Sequence, residues 1–279
     1  MRTPLLITAT LLAATLGSAQ AQQGINLSAG FTDFTTWTLL GSATALNETP
    51  GNGFTYSNLI LTPAPSNGQA GAGFAPTALA LDFNQAFSFD FHFFIPANPD
   101  LRGDGLTFTL ASAPGLGNGG SGLGYEGMGL ASVALAIDTF HFDGEPVSPS
   151  LQILQAGDVA PLAATVTGLG DTIRAANSQW YASVGYLPSG ANDNSGQLTG
   201  RIENLTLGSF EVSATVDFDA LGLAGNPVFY GFTAANGLAS DGHYITSAVP
   251  VPEPQTWALM LAGLGLLGWL AGRRSGARR

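Results

Sequence analysis

FSFDFHFFI, residues Phe87 to Ile95, decides the fold. In an extended chain successive side chains point to opposite faces. Phe87, Phe89, Phe91 and Phe93 therefore line one side of a strand, and Ser88, Asp90 and His92 line the other. Four rings on one face require an apolar layer of comparable depth opposite, which a second sheet supplies. His92, on the other face, reads as a surface or hydrogen-bonded histidine rather than a ligand.

Segments on either side repeat the pattern. Phe54 to Leu61 is extended and stops at Pro63-Ala64-Pro65, and Gly103-Asp104-Gly105 turns into Leu106 to Leu110. Val133 to Asp138, Leu151 to Leu154, Trp180 to Tyr186, Phe210 to Phe218, Val228 to Ala234 and Tyr244 to Val249 read as further strands. Phe31 to Leu40 is expected to start the domain. Asp158 to Ala176 stays ambiguous, and Pro188 to Gln197 reads as a polar hairpin loop. With little helical periodicity and no internal repeat, the class is all-β, an antiparallel β-sandwich or jelly roll. Gly115 to Gly129 contains eight glycines. Its Gly115-x-Gly117-x-x-Gly120 spacing matches a dinucleotide fingerprint, but no helical pattern follows, so a tightly turned loop is the better account.

The two ends read as addressing signals. Residues 1–21 carry Arg2, an uncharged apolar run and Ala19-Gln20-Ala21, the pattern of a signal peptide cleaved after Ala21. No charge falls between Glu253 and Arg273, so these nineteen residues, as a helix, just cross a bilayer's hydrocarbon layer, with four arginines beyond. Val251-Pro252-Glu253-Pro254, the apolar segment and the arginine cluster together resemble the PEP-CTERM sorting signal of Gram-negative bacteria. That resemblance implies export, processing by an exosortase, membrane attachment through the C-terminal helix before processing, and association with exopolysaccharide. The domain boundaries expected are therefore 1–21, 22–250 and 251–279.

Residues 22–250 hold three cations, Arg102, Arg174 and Arg201, against 18 acids, the 19 of the chain less Glu253, a net charge of −15. Such a surface repels nucleic acid and anionic lipid and favours cations or neutral partners. Without cysteine the exported domain has neither disulfides nor thiolate metal sites and depends on its core.

The chemistry-bearing stretch is VALAIDTFHFDGE, Val133 to Glu145. Its alternation brings Asp138 out at the end of a buried strand, and the polar loop with His141, Asp143 and Glu145 can return oxygens toward it. Hard cations favour such carboxylates and carbonyls. A glycosidase needs paired carboxylates, yet on the face Ala134, Ala136, Asp138 only one residue is acidic. His141 and His243 are conceivable bases, but no serine sits in a Gly-x-Ser-x-Gly elbow. The chain reads as a non-enzyme.

Six segments in order resemble the L-type lectin domain, the concanavalin-like sandwich of legume lectins and bacterial relatives. They are GQAGAGF (68–74), FSFDFHFFI (87–95), GDGLTFTLA (103–111), GLGYEG (122–127), VALAIDTF (133–140) and YGFTAANG (230–237). The resemblance implies sugar binding through loops at one sheet edge. Asp104, after a cis Gly103–Asp104 peptide, would accept sugar hydroxyls, Gly124 or Leu123 would donate a backbone N–H, and Asn236 to His243 would form the last loop. Tyr125 or Phe142 would stack on a sugar face, with His141 nearby. Asp104 also has a plain reading as a turn aspartate capping its own loop.

For metals the resemblance implies Asp138 and the Phe140 carbonyl as calcium ligands, joined by Asp143 and Glu145. Ala136 replaces the family's transition-metal glutamate, and Ser150-Leu151-Gln152 stands where its histidine is expected, so the transition-metal site is expected to be absent. The function expected is carbohydrate binding at the cell surface or matrix, possible with calcium. The alternative is a structural surface protein that kept the sandwich and lost sugar recognition.

Overall fold

The computed structural model describes residues 23–28, 30–51, 53–96, 102–174, 179–239 and 241–250. The signal peptide expected at 1–21 and the sorting tail at 251–279 lie outside the described residues. Among those described, no helix is long and apolar enough to cross a membrane.

The strands are β1 (Gln23–Asn26), β2 (Thr38–Gly41), β3 (Thr44–Glu48), β4 (Phe54–Thr62), β5 (Ala70–Phe74), β6 (Phe87–Phe94), β7 (Gly105–Ala111) and β8 (Ser132–Asp138). There follow β9 (Ser150–Gln155), β10 (Asp158–Val166), β11 (Gln179–Pro188), β12 (Ser195–Asn204), β13 (Gly208–Asp217), β14 (Phe229–Ala235) and β15 (His243–Pro250). One sheet has the order β13-β12-β11-β6-β15-β4-β3, with β1 pairing in parallel to β6, and the other has β10-β9-β8-β7-β14-β5-β2. This is the antiparallel sandwich expected.

The four rings of β6 are at most 1% exposed. They meet the middle of the opposite sheet: Phe89 and Phe108 have centroids 5.0 Å apart, and Phe91 and Phe232 lie edge to face at 4.9 Å. Trp180 and Tyr186 of β11 extend the layer beside Phe93 and Phe87. Such contacts add to the transfer free energy of each ring, roughly 1.5–3 kcal/mol.

Several segments differ from expectation. Among the described residues β1 precedes the Phe31 to Leu40 segment expected to start the domain, and within that segment Phe34–Thr36 is a 3-10 turn capped by Asp33. The ambiguous stretch contains β10, an edge strand that tolerates Pro161 and carries a register shift between Asp158 and Ala163, followed by a 3-10 turn at Gly170–Arg174. The loop read over Pro188 to Gln197 ends inside β12, whose inward positions are Gly196, Leu198, Gly200 and Ile202. A Cβ at Gly196 would strike the Leu187 carbonyl, and one at Gly200 would strike Leu135. Half of the inward face is therefore empty of side chains because its neighbours need the room.

β7 and β8 are buried on both faces. Val133, Leu135 and Ile137 enter the main core, whereas Ala134 and Ala136 pack with Leu123 and Tyr125 from the glycine-rich segment. That segment is docked by Thr233 Oγ1, which donates to the Leu123 carbonyl at 2.7 Å, and by Gly127 N–H, which donates to Gly157 O at 2.8 Å. It lies as a cover over the outer face of the seven-stranded sheet. Phe91→Ala, which empties a site walled by Phe108 and Phe232, should cost about 3–5 kcal/mol in a denaturant titration, with the fold retained.

Candidate functional site

The register Gly105↔Asp138 sets the entry of β7 beside the exit of β8, and Thr139 N–H donates to Asp104 O at 2.8 Å. Asp104 is 7% exposed and accepts a hydrogen bond from the Gly237 N–H. A Cβ on Gly237 would stand 3.3 Å from Asp104 Oδ2 and 3.6 Å from the Gly120 Cα, so only glycine leaves this approach uncrowded. Gly120 N–H in turn donates to Asn236 O. The loop before β7, the glycine-rich cover and the β14–β15 loop therefore meet at Asp104. Burial there pushes its carboxyl up to about 6, and Glu145 and Asp241 add to the shift.

The remaining expected sugar contacts are placed differently. Gly124 N–H donates to Asn118 O at 2.8 Å, and Leu123 N–H donates to Gly120 O, so both donors are used inside the cover. Gly124 adopts φ +69°, and a Cβ would meet the Ala234 carbonyl at 2.9 Å, which makes its role conformational. Tyr125 is fully buried, with its hydroxyl 3.0 Å from Ser132 Oγ, and presents no ring to solvent. Asn236 is 1% exposed, donates to Asp241 O and accepts from Asp241 N–H, so it closes its own loop. These internal bonds have one cause: the loops are thin and glycine-rich, and their few larger groups hold them together. His141 is exposed, with Nδ1 3.2 Å from the Pro146 carbonyl. Phe142 is exposed in the loop whose Glu145 influences Asp104, and Leu238 is exposed beside Gly237. The Gly103–Asp104 peptide is trans, the cis bonds among the described residues being Ala64–Pro65 and Ser148–Pro149. Both polar groups of Gly103 are tied, its N–H to Asp241 Oδ2 and its carbonyl to Arg174 and Thr139.

Asp138 ends β8 with 4% exposure. Its Oδ1 accepts from Ser148 Oγ at 2.7 Å and Phe140 N–H at 3.1 Å, and its Oδ2 accepts from Gln152 Nε2 at 2.8 Å. Glu145 turns onto the Phe142 N–H at 2.9 Å, and Asp143 sits exposed. Among the described residues no three His, Asp or Glu side chains are grouped to hold a metal. Calcium takes about six to eight oxygen ligands. The donor set here does not fit it: three protein donors already hold the Asp138 carboxylate, and Asp143 and Glu145 do not join it. Ala136 stands in the apolar contact with Tyr125 and Leu123. Burial, with Glu145 adding, pushes Asp138 up to about 7 against the opposing hydrogen bonds.

Arg174 and Thr139 were not legible as site residues, although an arginine in so cation-poor a chain was a signal, and Asp241 was expected only as part of the Asn236 to His243 loop. The Arg174 side chain is 4% exposed, and its Nε donates to Asp241 Oδ2 at 2.5 Å. Its Nη2 donates to Gly103 O, Thr139 O and Thr139 Oγ1 at 3.0, 2.9 and 2.7 Å. His243, a conceivable base by sequence, is fully buried with Nδ1 2.6 Å from Thr62 Oγ1. Burial, aided by Arg174, holds it neutral with a pKa near about 3. A cleft of about 200 Å³ lined by Arg102, His141, Asp171 and Arg174 flanks this cluster. A cleft of about 760 Å³ lies on the outer face of the eight-stranded sheet among His92, Tyr181, Arg201 and Glu203, and none of the expected site residues lines it.

Comparison with solved structures matches this arrangement of sheets and loops. Lectin I-B4 of Griffonia simplicifolia, in a metal-free form, superposes with a TM-score of 0.59 at 20% identity over 77% of this chain and 93% of its own. The Bauhinia forficata lectin in complex with GalNAc gives 0.61 at 22% identity, over 80% and 96%. Peanut lectin gives 0.58 at 18% identity, over 79% and 94%. The fold is the legume-lectin sandwich. Residues 250–275 match the PEP-CTERM protein-sorting motif. No curated protein matches the sequence.

On this lectin-like frame the charge on Asp138 is a cost to folding. Its folded pKa, near 7, lies above the ordinary 3.8, so its contribution to stability is complete below about pH 4 and is lost as pH rises through about 7. At about 1.4 kcal/mol per pKa unit the loss is a few kcal/mol. Thermal unfolding should show Asp138→Asn more stable than wild type at about pH 8 and no more stable at about pH 4.

Proposed function

We propose that this is an exported carbohydrate-binding protein that recognises extracellular polysaccharide through the loops around Asp104. The observation that carries the reading is the convergence of three loops on one nearly buried carboxylate at the end of a legume-lectin sandwich. Ionised, Asp104 accepts sugar hydroxyls. The exposed backbone at Gly119 supplies neighbouring polar groups, and Phe142 or Leu238 offers apolar contact to a sugar face. The sorting motif supports export and handling by an exosortase, with attachment through the C-terminal segment until processing and final residence at the surface or in the matrix. The 1–21, 22–250 and 251–279 division follows from the same reading. A role in binding rather than turnover accords with the neighbours being lectins.

A second reading is a structural surface protein without sugar recognition. The internal engagement of Gly124, Tyr125 and Asn236 favours it.

A glycan array containing galactose and GalNAc ligands and bacterial matrix polysaccharides separates the two. Wild type should bind at least one class of glycan, and Asp104→Asn should lose roughly 10- to 100-fold in affinity, the worth of hydrogen bonds to a charged acceptor. Binding should weaken as pH falls through about 6, where Asp104 takes up a proton and loses acceptor capacity. A folded wild type that binds no glycan would establish the structural reading instead.

A further inference from the structure

We propose that the buried Arg174 guanidinium, rather than a bound cation, fixes the Asp104 loop and the β14–β15 loop in their working arrangement. For its functional meaning this rests on the sugar site proposed above. Its physical content does not.

Three segments distant in sequence must be held together at this corner: Gly103-Asp104, Thr139 and Asp241. One side chain reaches all three. Arg174 Nε donates to Asp241 Oδ2, and Nη2 donates to the Gly103 and Thr139 carbonyls and to Thr139 Oγ1. The segments are also joined to one another around it. Gly103 N–H donates to the same Asp241 Oδ2 at 2.9 Å, Thr139 Oγ1 donates to Gly103 O, and Thr139 N–H donates to Asp104 O. Carbonyl and carboxylate oxygens gathered from separate loops are the donor set a hard cation organises. Here they gather on a guanidinium, whose fixed planar fork of N–H groups suits several acceptors at once.

Arg174 and Asp241 are both buried and of opposite sign, and His243 beside them is neutral, so the guanidinium is the positive charge that Asp241 faces. Asp138, on the neighbouring strand, is held by Ser148, Gln152 and Phe140 and lends no oxygen to a shared ion. The 3-10 turn at Gly170–Arg174 is anchored by Trp180 Nε1, which donates to Ile173 O at 3.1 Å, so the guanidinium is presented from the core.

Arg174 is thus a positioning residue, and the test uses the full chain with readouts that need no sugar. Hydrogen exchange at the Gly103 and Thr139 amides and thermal unfolding are measured in wild type with EDTA and with added calcium chloride. Neither is expected to change. Arg174→Lys keeps the charge but loses the fork, and both amides should exchange at least roughly tenfold faster. In Arg174→Ala, millimolar ethylguanidinium should restore protection where calcium does not. Loss of protection by wild type in EDTA, or rescue of Arg174→Ala by calcium, would overturn the proposal. EDTA applied to wild type can overturn the proposal even if the variants fail to fold. In the glycan array, binding unaffected by EDTA but lost in Arg174→Lys is the expected extension. Absence of any wild-type binding would remove the sugar reading and leave the exchange result standing.

Discussion

The molecule depends on one aromatic layer. β6 presents four rings to the middle of the opposing sheet, where Phe108 of β7 and Phe232 of β14 receive them. This contact sets which strands are central, and it makes β7, β8 and β14 the rigid platform from which the site loops emerge. Without disulfides, the exported domain has this interdigitation as its principal restraint.

The platform explains the loops. A central strand buried on its inner face still has an outer face to cover, and β8 presents only Ala134 and Ala136 there. The glycine-rich segment covers it, using Tyr125 and Leu123 as its apolar contacts and its own amides as turn closures. Its groups are consequently committed to packing, and what stands free at the margin is the exposed Phe142 and Leu238, with Asp104 nearly buried beside them. Asp104 and Asp138 show how position divides two similar carboxylates. Asp138 is enclosed by three side-chain and backbone donors, whereas Asp104 meets Gly237, where a missing Cβ leaves space.

Strands with large alternating side chains were legible in the sequence, and β6, β11 and β13 follow their patterns. β12 was not legible because Gly196 and Gly200 are dictated by Tyr186, Leu187 and Leu135, which lie elsewhere in the chain. β10 was obscured by Pro161, which an edge position allows. In the site, the order of segments indicated that Asp104, the glycine loop and the 236–243 loop converge. It did not show which groups would be consumed in holding those loops, since Tyr125 and Asn236 look as available in sequence as Phe142 does. The Arg174 cluster joins residues more than sixty positions apart in sequence, a relation that local patterns do not carry.

The four outer strands of the sandwich bear on life outside the cell. An unpaired edge offers another chain a ladder of free backbone groups. β13 carries the exposed acids Glu211 and Asp217, and β3 is short and ends in Glu48. β10 is interrupted by a proline and a register shift, and β2 extends over only four residues. Each border is thus a poor template for a neighbouring molecule, so crowding favours contact through loops rather than fusion of sheets.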